Sequence, residues 1–308
     1  MFSLKHLLAG LLVLSPLMVA QAAAPDVTTY KVVPSSTDSN IRHDDFPDWV
    51  MFDRHASPGA PLVLFMPGTH GKPGNHGELP LMDLIVAQGY RLAWISFDND
   101  ISVSKLCPHN PDPDCSMAFR RMRVDGIGPA PVRNPPAESV TSRLVHLLAS
   151  LDKAHPGEGW GGYLADGKPD WKRIVVSGHS TGAGMAAYIA KTREVARVVL
   201  FSSPWDDIHL PGQSCRTAPW LSMPSATPLE RWHAEYHQRE NTAKLIADAY
   251  AALRIPTDHV HVFTLDQPAD YARHEHRNPF HKVTIRDARY APAWKAMFGQ
   301  AKDVAPAG

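Results

Sequence analysis

The sequence predicts an α/β protein with a mostly parallel sheet and helices on both faces. Apolar runs of strand length alternate repeatedly with segments of helical spacing, which is the pattern of such sheets. The inner runs are apolar throughout, as expected for strands buried on both faces. The chain has 308 residues, a length that suits one large α/β domain.

The predicted elements follow from these patterns. Residues 27–33 and 49–52 alternate apolar and polar side chains, which predicts an antiparallel pair at the sheet edge. Six further strands are expected at 61–66, 90–97, 173–176, 196–202, 231–237 and 259–265. Helices are expected at 79–88, 137–153, 185–192, 241–253 and 291–298.

The two ends of the chain differ from the rest. Residues 1–24 combine a basic start, a broken apolar run and small residues, which indicates a signal peptide cut after Ala22 or Ala24. We therefore expect a periplasmic or secreted protein with no stable membrane insertion after cleavage. A single domain is expected over 25–301, with a proline-rich insertion at 204–228 that could cover the site, and a disordered tail at 302–308.

Charge narrows the choice of partner. The chain carries 31 Lys and Arg against 31 Asp and Glu, so no net field attracts nucleic acid or an anionic membrane. We expect a small-molecule partner. The sequence leaves the oligomeric state open.

Three cysteines are present. Cys107 and Cys115 bracket a loop rich in proline and aspartate, which we expect to be closed by a disulfide, leaving Cys215 unpaired. The wide spacing disfavours a metal site built from the thiols, and we expect neither a metal nor a cofactor.

The serine turn at 178–182 has the pattern of a catalytic serine. Gly178, Ser180 and Gly182 fit G-x-S-x-G between a strand pattern and a helix pattern, a context that a chance match would rarely have. Ser180 is therefore the expected nucleophile. The helix that follows offers unpaired backbone N–H groups beside it.

A serine nucleophile needs a general base that is oriented by an acid. Among the downstream acids Asp206, Asp207, Glu240 and Asp266, Glu240 is favoured because it follows a strand and precedes a helix. Asp266 and Asp206 stay open as alternatives.

For the base, His281 is favoured because a rigid apolar stretch follows it. His276 and His274 remain open. Backbone N–H groups of Thr69, after the strand at 61–66, and of Thr181 are expected to form the oxyanion hole.

Over roughly residues 61–298 the chain resembles the α/β-hydrolase superfamily, and within it a branch of secreted bacterial serine hydrolases. The resemblance rests on the serine turn, the paired cysteines, a late histidine before an apolar triplet, and the segments 199–204, 219–222 and 227–228. Similar sequences carry an aspartate where Glu240 stands. The resemblance implies a serine hydrolase and supports Glu240 and His281, but it implies no substrate.

The favoured function is a secreted carboxylic-ester hydrolase that works through an acyl-enzyme, with an ester as its small-molecule substrate. A non-catalytic ligand-binding protein on the same scaffold, or an amidase or peptidase with the same triad, are the alternatives. A metal site formed by His274 and His276 with His70 and His76 is disfavoured, because the first two lack the spacing that places ligands on one helical face.

Overall fold

A computed structural model describes residues 25–267 and 278–304 of the chain. Its centre is an eight-stranded sheet. The strands are β1 (Val27–Val32), β2 (Asp48–Asp53), β3 (Leu62–Met66), β4 (Arg91–Trp94), β7 (Ile174–His179), β8 (Arg197–Phe201), β11 (Trp232–His237) and β12 (Val260–Phe263). They lie in the sheet in the order β1-β2-β4-β3-β7-β8-β11-β12. Two short ribbons lie outside this sheet and consist of β5 (Leu164–Ala165) with β6 (Lys168–Pro169), and β9 (Asp207–Ile208) with β10 (Arg216–Thr217).

The pairing agrees with the sequence pattern. β1 and β2 are antiparallel, as the alternation at the edge predicts, and β2 is antiparallel to β4. From β4 to β12 all neighbouring strands are parallel. The carboxyl ends of β3, β7, β8, β11 and β12 therefore lie along one edge of the sheet, where ligands bind in such folds.

Helices cover both faces of the sheet, which confirms the predicted fold class. They are α1 (Pro34–Thr37), α2 (Leu79–Ala87), α3 (Val103–Leu106), α4 (Cys115–Asp125), α5 (Val140–Ala154), α6 (Thr181–Thr192), α7 (Ala243–Leu253) and α8 (Ala291–Phe298). One apolar core contains side chains of α4, α5, α6 and α7, and a second core on the opposite face contains those of α2 and α8. Within the described ranges, no helix is both long enough and apolar enough to cross a bilayer.

The structure corrects the prediction for the tail. A 3-10 helix spans Ala301–Asp303, and the buried Ala301 donates its N–H to the carbonyl of Gln88. The expected disorder from residue 302 is therefore wrong for 302–304. Residues 305–308 lie outside the described part of the chain, as does the predicted signal peptide.

The cysteine loop has the predicted disulfide. Cys107 and Cys115 are joined, and the residues between them form no helix or strand. Helix α4 begins at Cys115 and was not predicted, so the loop is anchored directly to a buried helix.

Candidate active site

Ser180 stands at the corner between β7 and α6. Its backbone has φ 54° and ψ −121°, a conformation that non-glycine residues rarely adopt. Its N–H donates to the carbonyl of Phe201 at the end of β8 (2.9 Å), which holds the corner to the neighbouring strand. The surrounding structure thus imposes this strained conformation on the predicted nucleophile.

The glycines around Ser180 are required by close backbone contacts. A Cβ on Gly182 would lie 2.0 Å from the carbonyl oxygen of Met66, and one on Gly178 would lie 2.6 Å from the same atom. A Cβ on Gly68 would lie 3.0 Å from the Cβ of Ser180. The loop after β3 therefore passes directly beside the serine, which only glycine permits.

Glu240 and His281 form the central pair of the site. Oε2 of Glu240 lies 2.6 Å from Nδ1 of His281, with the carboxylate side chain fully buried and the imidazole 14% exposed. A neutral imidazole that donates from Nδ1 has an unprotonated Nε2, which is the acceptor that a general base needs.

The second oxygen of Glu240 is fixed as well. Oε1 accepts from the Ser202 hydroxyl (2.7 Å) and from the backbone N–H of His237 (2.8 Å). Glu240 N–H in turn donates to the His237 carbonyl (3.0 Å), so a tight turn at the end of β11 holds the acid. The carboxylate thus has a defined orientation towards the ring of His281.

His179 connects the serine corner to His281. It directly precedes Ser180, and its Nε2–H donates to the backbone carbonyl of His281 (3.0 Å), while the two rings lie 4.5 Å apart between centroids. Burial, and then the neighbouring His281, keep the pKa of His179 well below its ordinary value, so this ring is neutral. The Thr284 hydroxyl donates to the same carbonyl (3.0 Å).

The two predicted oxyanion residues lie together. The hydroxyls of Thr69 and Thr181 are 2.6 Å apart, which places the loop after β3 against the first residue of α6. Thr181 opens the helix, so its N–H has no acceptor within the helix. Asn99 fixes the loop by donating to the carbonyls of Gly68 (2.8 Å) and Gly71 (2.9 Å).

The alternative acids have other partners. Asp206 is buried in an ion pair with Arg120, and its Oδ2 also accepts from Trp220 Nε1 (2.9 Å). Asp266 is 89% exposed and pairs with Arg239, and Asp207 contacts His209. The structure brings none of the three to His281.

The alternative bases His274 and His276 lie outside the described residues. Of the other histidines considered for a metal site, His70 is exposed and contacts Asp100 (3.3 Å), and His76 starts a short 3-10 helix.

A second buried acid lies beside the pair. Glu235 is fully buried within β11, close to Glu240 and to the hydroxyls of Ser202 and Thr284. Burial, and then the charge of Glu240, raise its pKa well above the ordinary value for a glutamate. Burial therefore favours the neutral form of Glu235.

The insertion at 204–228 reaches the site through one aromatic residue. The ring of Trp205 meets that of His281 edge-on, with centroids 5.4 Å apart. Beyond it the ribbon of β9 and β10 contacts the cysteine loop, where His209 N–H donates to the Pro108 carbonyl. The insertion thus borders the imidazole and continues towards the disulfide.

Sequence reasoning missed the side chains that hold these groups: His179, Ser202, Thr284, Asn99, Trp205 and Glu235. Their partners lie far away in the chain, for example 102 residues between His179 and His281. One signal was available, because residues just before the serine and just after a central strand are close to the site in this architecture.

Comparisons with known proteins gave structural neighbours alone. No family model and no curated protein matches the chain. A bacterial heroin esterase has a TM-score of 0.46 at 11% identity, with 94% of this chain and 88% of that chain covered. A cold-adapted esterase from an Arctic intertidal metagenomic library has a TM-score of 0.45 at 12% identity, covering 89% and 93%. An esterase from Pyrococcus furiosus has a TM-score of 0.42 at 12% identity, covering 89% and 94%.

The class of fold follows from the chain itself. The sheet order, the strained serine between β7 and α6, and the acid that follows β11 are the features of an α/β-hydrolase. The chain has the α/β-hydrolase fold.

Proposed function

We propose that this protein is a secreted serine hydrolase that cleaves carboxylic esters through an acyl-enzyme. Ser180 is the nucleophile, His281 the general base and Glu240 the acid that orients it. The N–H groups of Thr69 and Thr181 stabilise the oxyanion. Export rests on the signal-peptide pattern of residues 1–24.

The reaction has two steps. Ser180 Oγ attacks the ester carbonyl carbon while its proton passes to His281 Nε2, and the alcohol then leaves with that proton. A water molecule, deprotonated by the same nitrogen, attacks the acyl-enzyme and releases the carboxylic acid. Glu240 stays ionised and stabilises the imidazolium in both steps.

One observation carries this proposal: the buried hydrogen bond between Glu240 Oε2 and His281 Nδ1. The other carboxylate oxygen of Glu240, Oε1, accepts from two further donors. A surface carboxylate that happened to meet a histidine would not be buried and held in this way. The strained backbone of Ser180 supports it independently, since such strain is concentrated at functional positions.

A fluorophosphonate probe tests the nucleophile. We expect the folded protein to be labelled and Ser180→Ala to lose labelling. In assays with p-nitrophenyl esters, Glu240→Gln should reduce kcat by about 10³–10⁴-fold, because the imidazole loses its orienting charge. A series of esters of increasing acyl length then defines the pocket.

Ser177→Ala is the matched control. Ser177 lies in β7, three residues before Ser180, and its buried hydroxyl has no hydrogen-bond partner within the described residues, so its removal should leave labelling intact. Absence of labelling in the folded wild-type protein would instead support a non-catalytic binding protein. Turnover of p-nitroanilides but not of esters would indicate an amidase.

A further inference from the structure

A mixed cluster of side chains lies on the β9–β10 ribbon, outside the proposed triad. Asp207 Oδ2 is 2.7 Å from His209 Nε2 and 3.8 Å from Cys215 Sγ, and all three ligand atoms lie within 4.8 Å of one another. None of these side chains takes part in the proposed hydrolysis. They offer one oxygen, one nitrogen and one sulfur to a common point.

The ribbon explains why these three residues meet. Thr217 pairs with Asp207 and Arg216 with Ile208 in the antiparallel register. Continuing that register puts Cys215 opposite His209, and residues two apart in a strand share a face. Asp207, His209 and Cys215 are thus on one face of the ribbon.

The carboxylate of Asp207 is largely buried. Its side chain is only 9% exposed, and a buried carboxylate is unfavourable unless a cation or hydrogen-bond donors accompany it. Within the described residues, the imidazole of His209 and the thiol of Cys215 contact it. A bound cation would supply the missing positive charge.

The backbone around His209 is held in place. Its N–H donates to the Pro108 carbonyl (2.5 Å) and its own carbonyl accepts from His109 Nδ1 (2.8 Å). Both partners belong to the loop closed by the Cys107–Cys115 disulfide. The cluster is therefore supported by a second, covalently closed loop.

We propose that Asp207, His209 and Cys215 form a zinc site, with water as the fourth ligand. Zn²⁺ accepts this mixture of oxygen, nitrogen and sulfur in tetrahedral geometry, and its bond lengths give ligand separations of about 3.3–3.6 Å. The observed separations, from 2.7 Å to at most 4.8 Å, lie on both sides of these values. Binding forms the Zn–S, Zn–N and Zn–O bonds and releases one proton, from the thiol of Cys215.

The site also has a place in the molecule. Asp207 follows Trp205 by two residues, and Trp205 packs on His281. Bound zinc would link the two strands of the β9–β10 ribbon close to Trp205, the residue that contacts His281. We therefore assign it a structural role in the insertion, and its failure would leave the proposed hydrolase function untouched.

Cobalt titration of the intact secreted chain tests the proposal. The protein is prepared with one titratable thiol, so that Cys215 is reduced and the disulfide is intact. One equivalent of Co²⁺ should produce a near-ultraviolet thiolate charge-transfer band and strong tetrahedral visible bands, both displaced by one equivalent of Zn²⁺. The charge-transfer band matters because the chain has 17 histidines, and surface histidines give no such signal.

The variants separate this site from others. Cys215→Ser should abolish the charge-transfer band, and His209→Ala or Asp207→Asn should weaken binding at least about tenfold. His55→Ala is the control, because His55 also contacts an aspartate, Asp53 at 3.0 Å, but has no cysteine beside it. A titration without the thiolate band, or zinc affinity unchanged in Cys215→Ser, would overturn the proposal.

Discussion

Glu240 and Glu235, the two glutamates near His281, differ in the hydrogen-bond donors that surround their carboxyl groups. Glu240 has three hydrogen-bond donors around its carboxylate, namely the His281 ring, the Ser202 hydroxyl and the His237 amide. Glu235 has no such set, since the Ser202 hydroxyl already donates to Glu240 and the Thr284 hydroxyl to the His281 carbonyl. Neither oxygen of the Glu235 carboxyl has a hydrogen-bond partner within the described residues, and burial favours its protonated form.

This difference predicts a pH-dependent stability. The pKa of Glu235 is raised in the folded protein, so above the ordinary glutamate range the unfolded chain releases a proton that the folded chain retains. Stability is therefore lost as the pH rises towards the folded-state pKa. Glu235→Gln removes this loss, so its free energy of unfolding relative to wild type should increase between pH 4 and pH 8.

Urea denaturation at both pH values measures the effect. The comparison between the two pH values cancels any pH-independent change that the amide causes in packing. A difference between variant and wild type that is the same at pH 4 and pH 8 would show that Glu235 is ionised in the folded protein.

At the scale of elements, helix α4 shows what the sequence could not predict. Its buried face includes Arg120 and Arg123, whose carboxylate partners are Asp206 and Asp98. Hydrophobic periodicity finds helices with apolar buried faces, and it cannot find one whose buried positions are arginines paired to distant acids. Helix α5 has an apolar stripe and was predicted over 137–153. The observed helix, Val140–Ala154, begins three residues later and ends one residue later.

The buried pair between Arg120 and Asp206 yields a stability prediction. Both side chains are 1% exposed, and the guanidinium packs so closely on α6 that a Cβ on Gly184 would clash with it. Arg120→Ala should lower the free energy of unfolding by about 3–5 kcal/mol, because it leaves the Asp206 charge buried without a cation.

Thermal and urea unfolding test this prediction, and Lys244→Ala is its control. Lys244 forms an exposed helical pair with Asp248, and its loss should leave the free energy of unfolding nearly unchanged. Adding Asp206→Asn to Arg120→Ala should restore part of the loss. A double variant less stable than Arg120→Ala would contradict the explanation by an uncompensated charge.

The same limits hold for the site. The serine turn has a strong local signal for Ser180, a strand end favours Glu240, and a rigid apolar stretch favours His281 before it. The contacts of His179 and Trp205 with His281 depend on tertiary packing between segments more than 70 residues apart, for which one sequence has no signal.

At the scale of the whole molecule, the insertion, the cysteine loop and helix α4 support one another. The loop closed by Cys107 and Cys115 contacts the β9–β10 ribbon through His209, and α4 holds the insertion through Arg120 and Asp206. Ala218, Trp220 and Leu221 of the insertion also join the main apolar core, so covalent and polar links act there together with apolar packing.

Replacing both Cys107 and Cys115 by alanine should therefore lower the free energy of unfolding by about 2.5 kcal/mol, from the greater freedom of the unfolded loop. Urea denaturation in zinc-free buffer measures the change. Cys215→Ala, at an exposed free thiol, is the control and should change stability by less than about 0.5 kcal/mol. Equal stability of the double variant and wild type would mean that the loop is held by its packing alone.

The backbone of Ser180 has an evolutionary consequence. Because φ is 54° at Ser180, Ser180→Gly should raise the free energy of unfolding by about 1 kcal/mol while abolishing labelling by the probe. Ser177 has regular strand conformation, so Ser177→Gly should lower the free energy of unfolding by a similar amount. Opposite signs for the same exchange at two serines three residues apart, measured by calorimetry, would separate local strain from a general effect of glycine. Selection for heat resistance alone should then favour glycine at position 180, and the proposed role of Ser180 as the nucleophile would explain why serine persists there.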